Sequence, residues 1–206
     1  MRDTRNPDFF PYSADDLDIL KKKDKKLAAV IDHYGVIERE MNRDLFAALV
    51  GSIVSQQISG KAADTVENRL IALCGGITPG RIHETDVSNI QKCGMSMRKA
   101  GYIKAVGEAV NNGVVDLSSL ESMSDNDIIG LLSSLPGIGV WTAEMLLIFS
   151  LGRMDVLSYG DLGIRRGLCK LYGHKMITKE QFARYKKRYS PYGSVASLYL
   201  WRLSVE

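Results

Sequence analysis

Apolar residues along this 206-residue chain recur three and four positions apart, and strictly alternating runs are scarce. Over 16–34, Leu17, Leu20, Leu27, Val30 and Ile31 form one stripe while Lys21, Lys22 and Lys23 fall outside it, which predicts a single amphipathic helix. A more apolar helix is predicted over 45–57. A third, over 60–73, is stopped by Gly75-Gly76, where glycine can take positive φ. The pattern over 98–111 predicts a fourth, ended by Asn112-Gly113. Ser124, with Asp127 three residues on, has the form of an N-cap for a short helix over 128–134. Helix resumes over 140–151 and stops at Gly152. Asp161 stands where it can cap a further helix running to Tyr172, and a last pair, 179–189 and 194–201, is split by Pro191-Tyr192-Gly193. The expected fold class is all-α, without repeats or low-complexity stretches.

Composition narrows this picture. A hydrophobic share of 45% with 25% charged residues is ordinary for a globular chain, and no apolar run approaches the roughly 20 residues that span a bilayer. The opening Met1-Arg-Asp-Thr-Arg-Asn-Pro7 is charged where a secretory signal is apolar, so a soluble protein that is not secreted and has no membrane partner is expected. That means cytoplasm or nucleoid in a prokaryote, and the nucleus in a eukaryote. Cys74, Cys93 and Cys169 match no zinc spacing, and an odd count predicts free, structural thiols. Net charge is only +3. From Arg153 to Glu206, however, 11 Lys and Arg face 4 Asp and Glu, whereas the rest of the chain holds 16 against 20. Such asymmetry fits a face that meets phosphates, and it fits a solvated surface as well.

The most specific segment is Leu135-Pro136-Gly137-Ile138-Gly139-Val140-Trp141-Thr142-Ala143, between two short helical patterns. Two glycines around one apolar residue make a tight turn whose amides carry no shielding side chains. Those amides begin the next helix, where unpaired N–H groups and the helix dipole favour an anion. A DNA phosphate fits, held without reading sequence. A plain helical hairpin with a glycine-rich connection would carry the same glycines.

Asp161 follows the hairpin by two helical turns and a loop. Breaking an N-glycosidic bond spreads positive charge over C1′ and the ring oxygen of the sugar. A carboxylate beside that sugar stabilises the charge and can orient the attacking water. The alternative is that Asp161 only caps its helix, and one side chain can do both.

Hairpin, loop and aspartate together resemble the helix-hairpin-helix (HhH-GPD) base-excision superfamily. Ser55-Gln56-Gln57-Ile58-Ser59, Lys61-Ala62-Ala63, Lys99-Ala-Gly-Tyr-Ile103, Trp141-Thr-Ala143, Met154-Asp-Val156, Asp161-Leu-Gly-Ile164 and Tyr189-Ser-Pro191 with Ala196 and Trp201-Arg202 are similar to its 3-methyladenine DNA glycosylase II branch, from about Asp44 to Arg202. The resemblance implies a compact form without the β-rich N-terminal subdomain of longer members. It implies one 1–206 glycosylase domain in two helical lobes with a cleft between them. Lobe one covers about 1–42 and 177–206. Lobe two covers 43–176 and includes the hairpin at 126–151.

Several site residues follow from the same matching. Asp161 is the implied catalytic carboxylate, and Trp141, Met145 and Trp201 line the base pocket, where a flipped base stacks on indole. Pro136, Gly137, Ile138, Gly139 and Thr142 form the DNA-binding hairpin. Gln56 and Gln57 form the minor-groove wedge, and Ser59 and Lys61 touch the backbone nearby. Bifunctional members carry a Schiff-base lysine where this chain has Trp141, so water is the implied nucleophile. No cysteine follows Cys169, so no iron–sulfur cluster is expected. No cofactor and no catalytic metal are implied, although hairpin carbonyls can hold a structural monovalent cation. The expected partner is double-stranded DNA with damaged bases, bound by a monomer. The alternatives are a glycosylase for another lesion (ethenoadenine, a deaminated or a mismatched base) and a DNA-binding relative without catalysis.

Overall fold

A computed structural model describes residues 8–206; the charged opening at 1–7 lies outside the described residues. In chain order the helices are α1 (Ala14–Lys23), α2 (Lys25–Tyr34), α3 (Leu45–Ser55), α4 (Gly60–Cys74), α5 (Pro79–Glu84), α6 (Val87–Lys92), α7 (Met97–Asn111), α8 (Asp125–Ser133), α9 (Val140–Phe149), α10 (Leu162–Tyr172), α11 (Lys179–Tyr189) and α12 (Gly193–Ser204). A 3₁₀ segment covers Leu117–Ser122. Among the described residues there is no strand, only an isolated antiparallel bridge between Phe9 and Glu40, and no helix is long and apolar enough to cross a membrane. Cys74, Cys93 and Cys169 are free.

Most starts are set locally. The side chains of Ser13, Asp44, Ser59, Thr78, Ser96, Ser124 and Thr178 each accept a backbone N–H at the head of α1, α3, α4, α5, α7, α8 and α11. Each such cap is worth about 1 kcal/mol. The expected single helix over 16–34 is instead broken into α1 and α2 at Asp24, whose backbone is extended at φ −150°. Asp24 is buried, and its Oδ1 accepts the amides of Lys26 and Leu27. Its Oδ2 accepts Tyr172 Oη at 2.5 Å and Arg188 Nη1 at 2.7 Å. A carboxylate held by four donors opens the chain there, although the apolar stripe runs straight through.

The chain divides into two compact units. One comprises the described residues up to Met41 together with Leu147–Glu206, and the other is Asn42–Leu146. The stretch 147–176, expected with the central helices, therefore belongs with the terminal ones. Packing explains the reassignment: α10 lies so close to α12 that a Cβ on Gly167 would strike the Leu200 backbone. Leu17, Leu20, Leu27, Ile31, Ile164, Leu168, Tyr189, Tyr199 and Leu200 are buried in this first unit. In the second, Leu49, Ile53, Leu70, Ile82, Ile90, Ile103, Leu120 and Ile128 are buried. The short helices α5 and α6 were not expected from the sequence.

Candidate active site

In the second unit, α8 and α9 bracket the glycine turn. Leu135 and Ile138 are buried, and the Ile138 amide donates to Leu135 O at 3.1 Å. Thr142 is buried one turn into α9, while Pro136 is exposed. The two glycines differ in kind. Gly137 has φ +84°, and a Cβ there would lie 2.5 Å from Tyr102 Cδ2, so both torsion and space demand glycine. Gly139 has neither a positive φ nor any atom within 4 Å of a Cβ. Nothing inside the protein asks for glycine at 139, and its bare backbone opens on the first-turn amides of α9, the place for an anion.

The two glutamines of the expected wedge part company. Gln56 is half-buried and its Nε2 donates to Gly137 O at 2.8 Å, so its side chain is turned onto the hairpin. Gln57 is exposed, with φ +58° in the left-handed region. Ser59 caps α4 through the Ala62 amide at 3.4 Å, and Lys61 is exposed on its first turn. Trp141 is 49% exposed and Met145 half-buried, one turn apart on α9.

In the first unit, Asp161 is 7% exposed at the head of α10. Its Oδ1 accepts two donors, the Ile164 amide at 2.8 Å and the Trp201 indole Nε1 at 2.9 Å. The cap expected from sequence is thus present, together with an indole clamp that was not expected. Trp201 is half-buried, and its ring lies 5.5 Å from that of Phe149. The Arg39 guanidinium stands 4.6 Å over the Phe149 ring. Gly163 makes room for the pair, since a Cβ there would lie 2.8 Å from Trp201 Cδ1 and 3.1 Å from Asp161 Oδ1. The loop before Asp161 is tied to the start of α12. The Ser194 amide donates to Met154 O, its Oγ donates to Arg153 O, and Ser190 Oγ and the Gly193 amide reach Asp155. Met154-Asp155-Val156 and Tyr189-Ser190-Pro191, two separate stretches of the resemblance, meet here.

The second unit thus holds a glycine hairpin and, on a loop tied to it, an exposed left-handed residue, and the first unit holds a buried carboxylate clamped by an indole. The family model of the HhH-GPD superfamily of base excision DNA repair proteins matches residues 50–191. DNA-3-methyladenine glycosylase 1 of Schizosaccharomyces pombe is 32% identical over 185 residues, covering 87% of this chain and 81% of that one. Among solved structures, the DNA-3-methyladenine glycosidase of Bacillus halodurans superposes with a TM-score of 0.86 at 36% identity, covering 95% of this chain and 92% of that one. The Schizosaccharomyces pombe 3-methyladenine DNA glycosylase in complex with abasic-DNA gives 0.80 at 31% identity, covering 94% and 98%. The chain belongs to the HhH-GPD superfamily of base excision DNA repair proteins.

Proposed function

We propose that this chain excises alkylated purines of the 3-methyladenine and 7-methylguanine type from duplex DNA by hydrolysis, leaving an abasic site. The relatives that support this are the 3-methyladenine glycosylases just described. The observation that carries it is Asp161, a buried carboxylate whose Oδ1 is fixed by one amide and one indole N–H. The C1′–N bond breaks with its electron pair leaving on the base, and positive charge grows on C1′ and the ring oxygen. Asp161 stabilises that charge and orients a water, whose oxygen bonds to C1′ and whose proton passes to the carboxylate and on to solvent. A cationic alkylpurine departs neutral, so it needs no proton.

Trp141 occupies the hairpin position of the Schiff-base lysine, so the sugar is attacked by water and the strand stays intact. The hairpin amides hold a backbone phosphate, and Gln57, exposed on its loop, fills the space left by the flipped base. Phosphate contacts are screened by ions, so excision falls as salt rises. Leu135 O, Gly137 O and Gly139 O each accept one hydrogen bond from within the chain. Each keeps a second lone pair, the donor chemistry that suits a monovalent cation, which would add positive charge near the phosphate.

The test is base release from methylated duplex DNA by the wild type and by Asp161→Asn. Free 3-methyladenine and intact strands from the wild type are expected, with a variant that binds DNA and releases base about a hundredfold or more slowly. Release of ethenoadenine, a deaminated base or a mismatched base in place of alkylpurines would move the substrate. Binding without release of any base would make the chain an inert binder.

A further inference from the structure

Three segments far apart in sequence are fastened to one another in the second unit. The Lys99 ammonium, near the start of α7, donates to Val54 O at 2.8 Å and to Gln56 O at 2.6 Å. These carbonyls end α3 and begin the glutamine loop, where helix geometry leaves them without amide partners and the helix dipole favours a cation. These two hydrogen bonds turn the ammonium inward, and partial burial draws it below the usual lysine range. Gln56 Nε2 then ties the loop to Gly137 O of the hairpin. The third side is packing: Tyr102, three residues after Lys99 on α7, lies against Gly137 so closely that a Cβ would overlap it. At the free corner Gln57 is held exposed at φ +58°, a conformation unfavourable for a non-glycine residue that persists where its surroundings impose it.

We propose that Lys99 and Gln56 are positioning residues that lock the glutamine loop to the hairpin, so that docking the hairpin on a phosphate and inserting Gln57 into the duplex are one rigid movement. Gln56 on this account does not enter DNA; its amide is the bolt between loop and hairpin. The inference rests on the glycosylase reading above.

The experiment compares excision from two duplexes in Lys99→Met, Gln56→Met and the double variant. In one duplex the alkylated purine is paired, and in the other it lies opposite an abasic analogue, where no pair has to be opened. The ratio of the two rates cancels general losses of binding and chemistry. It is expected to fall about tenfold in each single variant, because a misplaced wedge no longer pays for unpairing. The double variant should fall no further than the singles, since both act through one brace. If Lys99→Met shows no cooperative melting, Gln56→Met carries the test, its side chain being half-buried. A ratio within twofold of wild type in the folded variants overturns the proposal, as does an equal loss on both duplexes. A wild type that releases no base from either duplex overturns the glycosylase reading instead.

Discussion

The residue before α9 and the residue before α10 hold the same position at the head of a helix and put it to opposite uses. Before α9 stands Gly139, which has no side chain to cap the first-turn amides and open space where a Cβ would be. Before α10 stands Asp161, which spends one oxygen on the Ile164 amide and thereby holds its carboxylate in place. A bare helix end offers amides to an anion; a capped one offers a fixed anion to a cation. Asp24, before α2, shows a third use. Both of its oxygens are taken by donors from within the protein, so it is structural. Asp161 and Asp24 share residue type and burial, but Asp24 caps with two amides at φ −150° and Asp161 with one at φ −78°, and the donors beyond the cap are Tyr172 and Arg188 at Asp24 and the Trp201 indole at Asp161.

The largest effect should come from abolishing the fixed anion. Asp161→Asn is expected to slow excision about 10²–10³-fold in single-turnover measurements, with DNA affinity preserved. Next is to make the two helix heads alike. Gly139→Asp would cap α9 with a carboxylate that competes with phosphate, and DNA affinity measured by fluorescence anisotropy should fall about tenfold to a hundredfold. Its melting temperature should hold, because no atom crowds that site. A fall in melting temperature with unchanged affinity would mean that Gly139 serves the fold.

Smaller still is Gly163→Ala, which leaves Asp161 in place but drives a methyl against Trp201 Cδ1 and Asp161 Oδ1. Excision should fall about tenfold, while DNA affinity is unaffected. The mildest concerns Asp24. Burial pushes its carboxyl up, but Tyr172, the Leu27 amide and Arg188 outweigh that and hold it below the usual carboxylate range. Because the folded value is depressed, the stability it supplies is complete above the ordinary carboxyl value of about 3.9 and is lost as pH falls through the lower folded value. Asp24→Asn should cost about 1–3 kcal/mol at neutral pH and flatten the acid limb of a stability-against-pH curve.

Much of this was legible beforehand, for a local reason. Ser124 with Asp127, Gly75-Gly76 and the Leu-Pro-Gly-Ile-Gly block act within a few residues of themselves, so periodicity and caps located most helices to within about three residues. Asp161 as a cap was equally readable. What was hidden depends on distant partners. The break at Asp24 needs Tyr172 and Arg188, roughly 150 residues away, while the stripe from Leu17 to Ile31 argues for continuity. The indole of Trp201 is 40 residues from the carboxylate it clamps. Gln56 and Gln57 are identical as letters, and only a φ of +58° and a hydrogen bond to Gly137, 81 residues on, tell them apart. Lys99 reads as an ordinary surface lysine until the end of α3 is placed beside it.

The division of the chain has a consequence for the order in which the protein is made. The unit with the hairpin is one continuous stretch, Asn42–Leu146, whereas the unit with Asp161 is interrupted by it and needs α10 and α12 to close on α2 across more than a hundred intervening residues. Closing so long a loop is entropically slower than collapsing a contiguous segment, so a growing polypeptide can form the unit with the hairpin first. The Asp161 carboxylate can take its Ile164 cap locally, but its indole clamp closes only when Trp201 of α12 arrives beside it. On the ribosome the hairpin therefore precedes the clamped carboxylate, and under the proposed function a nascent chain gains its hold on DNA before its means of cutting a base from it.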